Sequence, residues 1–192
     1  MEQARFLVIS GSLHPDSRSR CLAKAGLERL EQLCSAEVVD QRESSGVEWI
    51  DLAEYPLPFC DGHSAYGDPN VGTLTAKVKA ARGILLASPV YNYDVNAVVK
   101  NMIELTGRSW QDKVVGLMCA AGGQGSYMAL MSLANSLMLD FRCLVLPRFV
   151  YATGDAFSAQ GIEDELIQGR VDELADRFYQ VANAVPLPPP AV

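Results

Sequence analysis

The sequence predicts an α/β protein with a doubly wound, open sheet of five parallel strands and helices on both faces. Short apolar runs rich in β-branched residues alternate with longer segments of helical periodicity, which is the pattern of stacked βαβ units. These runs are continuously apolar, as in strands buried on both faces. A chain of 192 residues with 49% hydrophobic and 20% charged residues is also long and apolar enough to fold around one core.

Each of the five predicted strands is a short apolar run followed by a helical segment. They are residues 6–10 (FLVIS), 47–52 with 38–40 as the alternative for the second strand, 83–88 (GILLAS), 113–119 (KVVGLMC) and 143–150 (CLVLPRFV).

The predicted helices follow from apolar periodicity. Segment 23–34 carries apolar residues at spacings of four, three and four, which places them on one helix face. Further helices are expected at 74–82, from near 96, at 126–139 and at 162–184. In the helix that begins near 96, the i,i+4 spacing of Glu104 and Arg108 predicts an ion pair. Residues 1–185 are expected to form a single domain, followed by a flexible, proline-rich tail at 186–192 (PLPPPAV).

Composition excludes several classes of function. A net charge of -7 argues against nucleic acid as a partner, because binding to phosphate backbones depends on clustered Lys and Arg. The five cysteines are odd in number and scattered, so neither a disulfide framework nor a metal site is expected. The sequence shows no secretory signal pattern and no run long enough to span a membrane. The expected location is the cytoplasm.

The loop after the first strand, residues 11–20 (GSLHPDSRSR), is dense in small hydroxyl residues and ends with two arginines. Ligands of open α/β sheets bind beyond the carboxyl ends of the strands. Hydroxyls, the N-terminus of the following helix, and Arg18 or Arg20 suit an anion such as phosphate. The alternative is that Ser17 or Ser19 is only a helix N-cap. Neither the P-loop motif nor a complete dinucleotide-binding fingerprint occurs in the chain.

Two more loops are expected at the same edge of the sheet. Residues 88–96 (SPVYNYDVN) place two tyrosines after the third strand, where they suit a flat, conjugated ligand. An ordinary β-α loop capped by Asn96 is the alternative. Residues 120–126 (AAGGQGS) follow the fourth strand, and their glycines allow a ligand to approach the backbone closely. The sequence therefore predicts one crevice formed by three loops.

The motifs in these loops form a set with a defined order and spacing. They are Gly11-Ser12-x-x-x-x-Ser17-x-x-Arg20, Ser88-Pro89-Val90-Tyr91-Asn92 continuing to Val99-Lys100-Asn101, the turn at 122–125, and Asp51-Leu52 with Leu57-Pro58. The set resembles the signature regions of the NAD(P)H-dependent FMN reductase family over roughly residues 5–150. This resemblance implies a flavodoxin-like fold with strand order 2-1-3-4-5, non-covalently bound FMN, and NADPH or NADH as co-substrate.

Carried over residue by residue, the resemblance implies a flavin site with three parts. The cofactor-binding residues would be Ser10, Ser12, His14, Ser17, Arg18, Ser19 and Arg20 around the phosphate, Pro89, Val90, Tyr91, Asn92 and Tyr93 against the ring, and Ala121, Gly122, Gly123, Gln124 and Gly125 beside its pyrimidine side. His14 stands where the family usually has arginine, and a neutral imidazole supplies less charge to a phosphate.

The implied activity is ping-pong oxidoreduction. NAD(P)H passes a hydride to the N5 atom of the bound flavin and leaves, and a free flavin, a quinone or a related electron-poor acceptor then binds in the place of the nicotinamide. The flavin carries the chemistry, so no catalytic side chain is predicted. Two alternatives stay open: a flavodoxin-type electron carrier, and an FMN reductase component that supplies reduced flavin to a monooxygenase. The resemblance further implies a homodimer or homotetramer. The apolar stripes of the third and fourth helices in the sequence predict that these two helices form the interface.

Overall fold

The computed structural model describes residues 6–38 and 46–185. The strands are β1 (Phe6–Ser10), β2 (Val47–Asp51), β3 (Gly83–Tyr91), β4 (Asp94–Val95), β5 (Val114–Ala121), β6 (Leu144–Val145), β7 (Val150–Thr153), β8 (Phe157–Ser158) and β9 (Gly161–Ile162). The α-helices are α1 (Arg18–Val38), α2 (Pro69–Ala80), α3 (Ala97–Thr106), α4 (Met131–Phe141) and α5 (Glu165–Ala184).

The main sheet has the order β2-β1-β3-β5-β6, and β7 pairs with β5 further along. These strands pair in parallel, whereas the two-residue β4 turns back antiparallel on β3. The strand order in chain numbering is therefore 2-1-3-5-6 and not the predicted 2-1-3-4-5, because the two-residue β4 has no recognisable pattern in the sequence. The fold itself is the predicted doubly wound, flavodoxin-like sheet.

Two apolar cores lie on opposite faces of the sheet. Helices α1 and α5 cover one face, and α2, α3 and α4 cover the other. Within β1, Phe6 and Val8 belong to the first core, and Leu7 and Ile9 belong to the second. Every residue of β1 is buried, which explains why this strand is a continuous apolar run in the sequence.

Two strand predictions are wrong in part. The second strand is β2, and the alternative at 38–40 fails because Val38 is the last residue of α1 while 39–40 lie outside the described residues. The predicted strand at 143–150 is broken into β6 and β7. Pro147 has no backbone N–H to donate, and Arg148 has a φ of 63° in the left-handed region, so neither residue continues a ladder.

Three predictions about the helices are also corrected. The fifth helix begins at Glu165 and not at 162, because Ile162 belongs to β9 and pairs with Phe157. The fourth helix begins at Met131 and not at 126, because Gln124–Ser126 form a separate 3-10 turn. Glu104 pairs with Lys100 at 2.6 Å and not with Arg108, because α3 ends at Thr106 and the chain then turns away.

The predicted domain of residues 1–185 stays a prediction, and the predicted tail at 186–192 lies outside the described residues. Among the helices of the described part, none is both long and apolar enough to cross a membrane.

Candidate active site

Five loops begin at one edge of the sheet, where the parallel strands reach their carboxyl ends. The register aligns Ser10 with both Asp51 and Ala87, and it aligns Ala121 with Thr153. The three loops predicted from the sequence therefore meet there. Two loops that the sequence did not point to, those after β2 and β7, join them.

Buried serine hydroxyls lie at both ends of the first loop, at Ser10 and at Ser17 and Ser19. The Oγ atoms of Ser17 and Ser19 are 2.9 Å apart, and Ser17 Oγ also accepts the backbone N–H of Arg20. The N-cap role considered for Ser17 is therefore present. Because two hydroxyls that share one hydrogen bond keep one O–H unused, this pair still offers a donor. Ser10 Oγ is buried without a hydrogen-bond partner among the described residues.

Buried hydroxyls rarely stay unpaired in a folded protein. Ser10 and the pair of Ser17 and Ser19 thus have spare donors in the part of the chain where a phosphate is expected. The Ser17–Ser19 pair lies at the N-terminus of α1, whose dipole favours a negative charge.

Arg20 uses all five of its N–H donors within the protein. Nε and Nη2 contact the two carboxylate oxygens of Asp51 at 2.5 and 3.2 Å. Nη1 donates to the carbonyls of His14 and Pro15, each at 2.7 Å, and Nη2 donates to the carbonyl of Ser12 at 3.2 Å. The hydrogen bond to Asp51 raises the pKa of Arg20. Arg20 thus holds three loop carbonyls toward itself, and a carbonyl held in this way cannot face an anion.

Arg18 and His14, the other two candidates in the first loop for a charged contact with the phosphate, are more exposed than Arg20. Arg18 lies against Gly154 after β7, where an added Cβ would be 2.6 Å from Arg18 Nη1. Among the described residues, Arg18 forms no ion pair, so its charge is available to a ligand. His14 Nδ1 accepts the backbone N–H of Asp16 at 3.0 Å, which leaves Nε2 as the ring nitrogen that can donate.

The tyrosine loop is a tight hairpin turn between β3 and β4. Asn92 and Tyr93 occupy its two central positions with φ of 51° and 66°, the arrangement of a type I′ turn. Glycine is favoured at such positions, so a tyrosine there carries strain. The rings of Tyr91 and Tyr93 are about half exposed at this edge of the sheet. Ser132 Oγ donates to Asp94 at 2.6 Å, which connects the turn to α4.

Asn96 connects the tyrosine loop to the first loop. Its Oδ1 accepts the backbone N–H of Val99 as the N-cap of α3, which confirms the capping role considered for it. Its Nδ2 donates to the carbonyl of Gly11 at 2.6 Å. Gly11 packs so closely that an added Cβ would be 2.3 Å from Val99 Cγ2. The two loops are therefore fixed relative to each other.

The glycine-rich turn after β5 is open on its outer side. A Cβ added at Gly122, Gly123 or Gly125 would meet no atom within 4 Å. The hydroxyl of Tyr151 donates to the carbonyl of Gly123. The amide of Gln124 donates to Thr153 Oγ1 at 3.1 Å. Sequence reasoning missed Tyr151 because its contact with the turn depends on the pairing of β5 with β7.

The fold and the site define a flavodoxin-like α/β protein, with a buried hydroxyl loop suited to an anion and an open cleft between an aromatic turn and a glycine-rich turn. Residues 4–158 match the sequence pattern of the NADPH-dependent FMN reductases. The chain belongs to this family, which confirms the resemblance inferred from the loop motifs.

Curated relatives agree with this assignment, and solved structures agree with the fold. A probable NADPH:quinone oxidoreductase of Oryza sativa is 32% identical over 125 residues, which is 63% of this chain and 58% of the rice protein. The chain thus spans less than two thirds of that relative. An NAD(P)H-dependent FMN reductase of Pseudomonas aeruginosa is 29% identical over 90% of this chain and 94% of its own length. The structure of an oxidoreductase from Corynebacterium diphtheriae superposes with a TM-score of 0.76 at 20% identity, covering 96% of this chain and 100% of that one.

FMN, the flavin of this family, fits the residues present. Its phosphate matches the unpartnered hydroxyl of Ser10 and the one spare donor of the Ser17–Ser19 pair at the start of α1. Its flat ring needs open space beside the backbone, and the glycine-rich turn provides such space. The predicted cofactor is therefore supported by both the family and the chemistry of the loops.

Proposed function

We propose that this protein is an FMN-dependent NAD(P)H oxidoreductase that reduces flavins, quinones or related electron-poor acceptors. The family supports this chemistry, and the names of the rice and Pseudomonas relatives refer to quinone and FMN reduction. The observation that carries the proposal is the convergence of the hydroxyl loop, the tyrosine turn and the open glycine-rich turn at one edge of the sheet. A cytoplasmic location stays a prediction.

In this proposal the three loops divide the binding of FMN among them. When bound, FMN supplies the two-electron chemistry, accepting a hydride from NAD(P)H and reducing the acceptor. The residues proposed to bind its phosphate are Ser10, Ser12, His14, Ser17, Arg18 and Ser19, with Arg20 shaping the loop. Those proposed to contact its ring are Pro89, Val90, Tyr91, Asn92, Tyr93, Ala121, Gly122, Gly123, Gln124 and Gly125.

Reduction of the bound flavin by a nicotinamide tests this function. Anaerobic mixing of the FMN-loaded protein with NADPH or NADH in a stopped-flow instrument is expected to bleach the oxidised flavin absorbance. Steady-state turnover with a quinone is expected to give parallel double-reciprocal lines. If neither nicotinamide reduces the flavin within minutes, the flavodoxin-type electron carrier becomes the better description. Free FMN as the preferred acceptor would instead favour the component that feeds a monooxygenase.

Substitution Ser17→Ala tests the phosphate loop. The variant is expected to bind FMN more weakly by about 1–3 kcal/mol, because a hydrogen bond to a charged group is lost. Riboflavin lacks the phosphate, so its affinity should be almost unchanged. Flavin fluorescence quenching measures both constants. Ser35→Ala, which alters an exposed hydroxyl within α1, is the control. An equal loss for both flavins would contradict the phosphate assignment.

The proposed homodimer or homotetramer uses the exposed surface of α4. The apolar stripe expected on α3 is largely buried in the core, so it is not available to a partner. The exposed apolar residues on and before α4 are Tyr127, Met128, Met131, Met138 and Leu139. A second copy that contacts these residues in a two-fold arrangement would cover them.

Light scattering tests this assembly at micromolar concentration. The wild type is expected to be a dimer or tetramer, and Leu139→Glu is expected to shift it toward monomer because a charge would enter the interface. Leu166→Glu places the same charge on the exposed surface of α5, which makes it the matched control. A monomeric wild type would refute the proposal.

A further inference from the structure

A second cavity, of about 710 Å³, lies away from the flavin loops. It is a groove between α5 and the segment 144–149 at the outer edge of the sheet. None of the residues proposed to bind FMN lines it. Its size lies within the range of small-molecule sites.

The groove exists because the edge strand is interrupted. β6 pairs only with Val114 and Val115, and β7 resumes pairing at Met118. Between them, Pro147 and the left-handed Arg148 take the chain out of the ladder. The side chains of residues 144–149 form one wall of the groove, and the facing side of α5 forms the other.

The floor of the groove is apolar. Leu146 and Leu174 are nearly fully buried in the core under α1 and α5. Phe149 also lines the groove, although it is partly buried against the core on the other face of the sheet. Leu144 forms part of the outer wall and is about half exposed. An apolar surface that remains accessible in this way can bind the apolar body of a ligand.

Three arginines surround this floor, although the chain as a whole carries a net charge of -7. Arg148 lies 3.4 Å from Glu173, and both side chains are well exposed. Within the described part of the chain, Arg170 and Arg177 have no carboxylate partner, and Arg177 donates only to the amide oxygen of Gln180. The groove therefore keeps positive charge that no acidic side chain neutralises.

The arginines also indicate the shape of the ligand. Arg170 and Arg177 are seven residues apart on one side of α5, which corresponds to about 10 Å along a helix. The groove is thus elongated along the helix axis. Guanidinium groups bind carboxylates through paired hydrogen bonds, and they do so more strongly beside apolar surface than in water.

We propose that this groove binds an amphipathic carboxylate, with its elongated apolar body on Leu146, Phe149 and Leu174 and its carboxylate at one end, on either Arg170 or Arg177. The site is separate from the redox site. It accordingly accepts its ligand while FMN is bound.

Decanoate is a suitable probe, and titration calorimetry on the FMN-saturated protein measures its binding. Decanoate is expected to bind at least tenfold more tightly than decanol, which has the same chain without the charge. The double substitution Arg170→Gln/Arg177→Gln is expected to weaken decanoate binding at least tenfold. Leu144→Asp should do the same by placing a negative charge on the outer wall.

Arg142→Gln is the matched control, because Arg142 is an exposed arginine that pairs with Asp112 outside the groove. This variant should bind decanoate as the wild type does, and all the variants should keep their NAD(P)H oxidation rate. The proposal is overturned by no measurable decanoate binding, by equal affinity for decanol, or by unchanged affinity in the double variant. Loss of decanoate binding on saturation with FMN would place the probe in the flavin site and would also overturn it.

Discussion

Replacing Arg20 with methionine is expected to weaken FMN binding about a hundredfold, although in the structure Arg20 has no donor left for a phosphate. The five N–H groups of Arg20 fix Asp51 and three carbonyls of the first loop. Without them, the loop loses the contacts that keep these carbonyls away from the anion. The side chains of Arg20 and Asp51 are 13% and 10% exposed. Removing one partner of a largely buried ion pair should also cost about 3 kcal/mol of unfolding free energy.

Substitution Asp51→Asn distinguishes a loop-shaping role of Arg20 from direct binding of the phosphate. The substitution removes the negative charge that Arg20 pairs with, so the guanidinium is bound less tightly to residue 51. If Arg20 contacts the phosphate, the freed guanidinium should raise FMN affinity. If Arg20 acts by holding the loop, the affinity falls. We expect it to fall at least tenfold in flavin fluorescence titrations. Urea denaturation of the flavin-free variants, measured in parallel, separates loss of loop order from global unfolding. Tighter FMN binding by the Asp51→Asn variant would show that the loop-shaping role is wrong.

Substitution Gly123→Val is expected to lower both FMN and riboflavin affinity at least tenfold, with an equal fall in turnover at limiting flavin. Gly123 has a φ of -172°, which is extended backbone that valine adopts readily, and an added Cβ meets no protein atom within 4 Å. The variant should therefore fold with unchanged stability. The added methyl groups would occupy the open space in which the flavin ring is proposed to lie.

Two matched variants make this test specific. Gly169→Val also points into open space but lies on α5 beside Arg170, a lining residue of the groove away from the flavin loops, so it should leave flavin binding unchanged. Gly11→Ala forces a Cβ against Val99 Cγ2, so it should lower stability. A Gly123→Val variant that binds both flavins as tightly as the wild type would place the ring elsewhere.

The fold could be predicted because its central strands β1, β3 and β5 are buried on both faces, which produces continuous apolar runs that stand out from the helical segments. The interruption of the fifth run was also detectable, since Pro147 sits where a sheet strand needs a backbone donor. The two-residue β4 left no such signal. It depends on a turn whose left-handed residues are Asn92 and Tyr93, and tyrosine is not a residue that predicts such a turn.

The candidate site was predictable at the level of loops but not of individual contacts. The carboxyl ends of parallel strands share one edge, so the three loops had to meet there. Whether an arginine in such a loop faces a ligand or the protein depends on partners far along the chain. Arg20 meets Asp51, 31 residues away, only because β1 and β2 pair in register. Tyr151 reaches Gly123 through the pairing of β5 and β7.

The break between β6 and β7 has a consequence for aggregation. A long, regular edge strand presents a row of unpaired backbone groups on which another chain can add a strand, and natural sheets shorten or interrupt such edges. Here the outer edge consists of two short pieces separated by Pro147 and the left-handed Arg148. This interruption therefore hinders two copies of this chain from joining their sheets edge to edge at this side. The residues that open the groove thus also protect this edge of the sheet against strand addition.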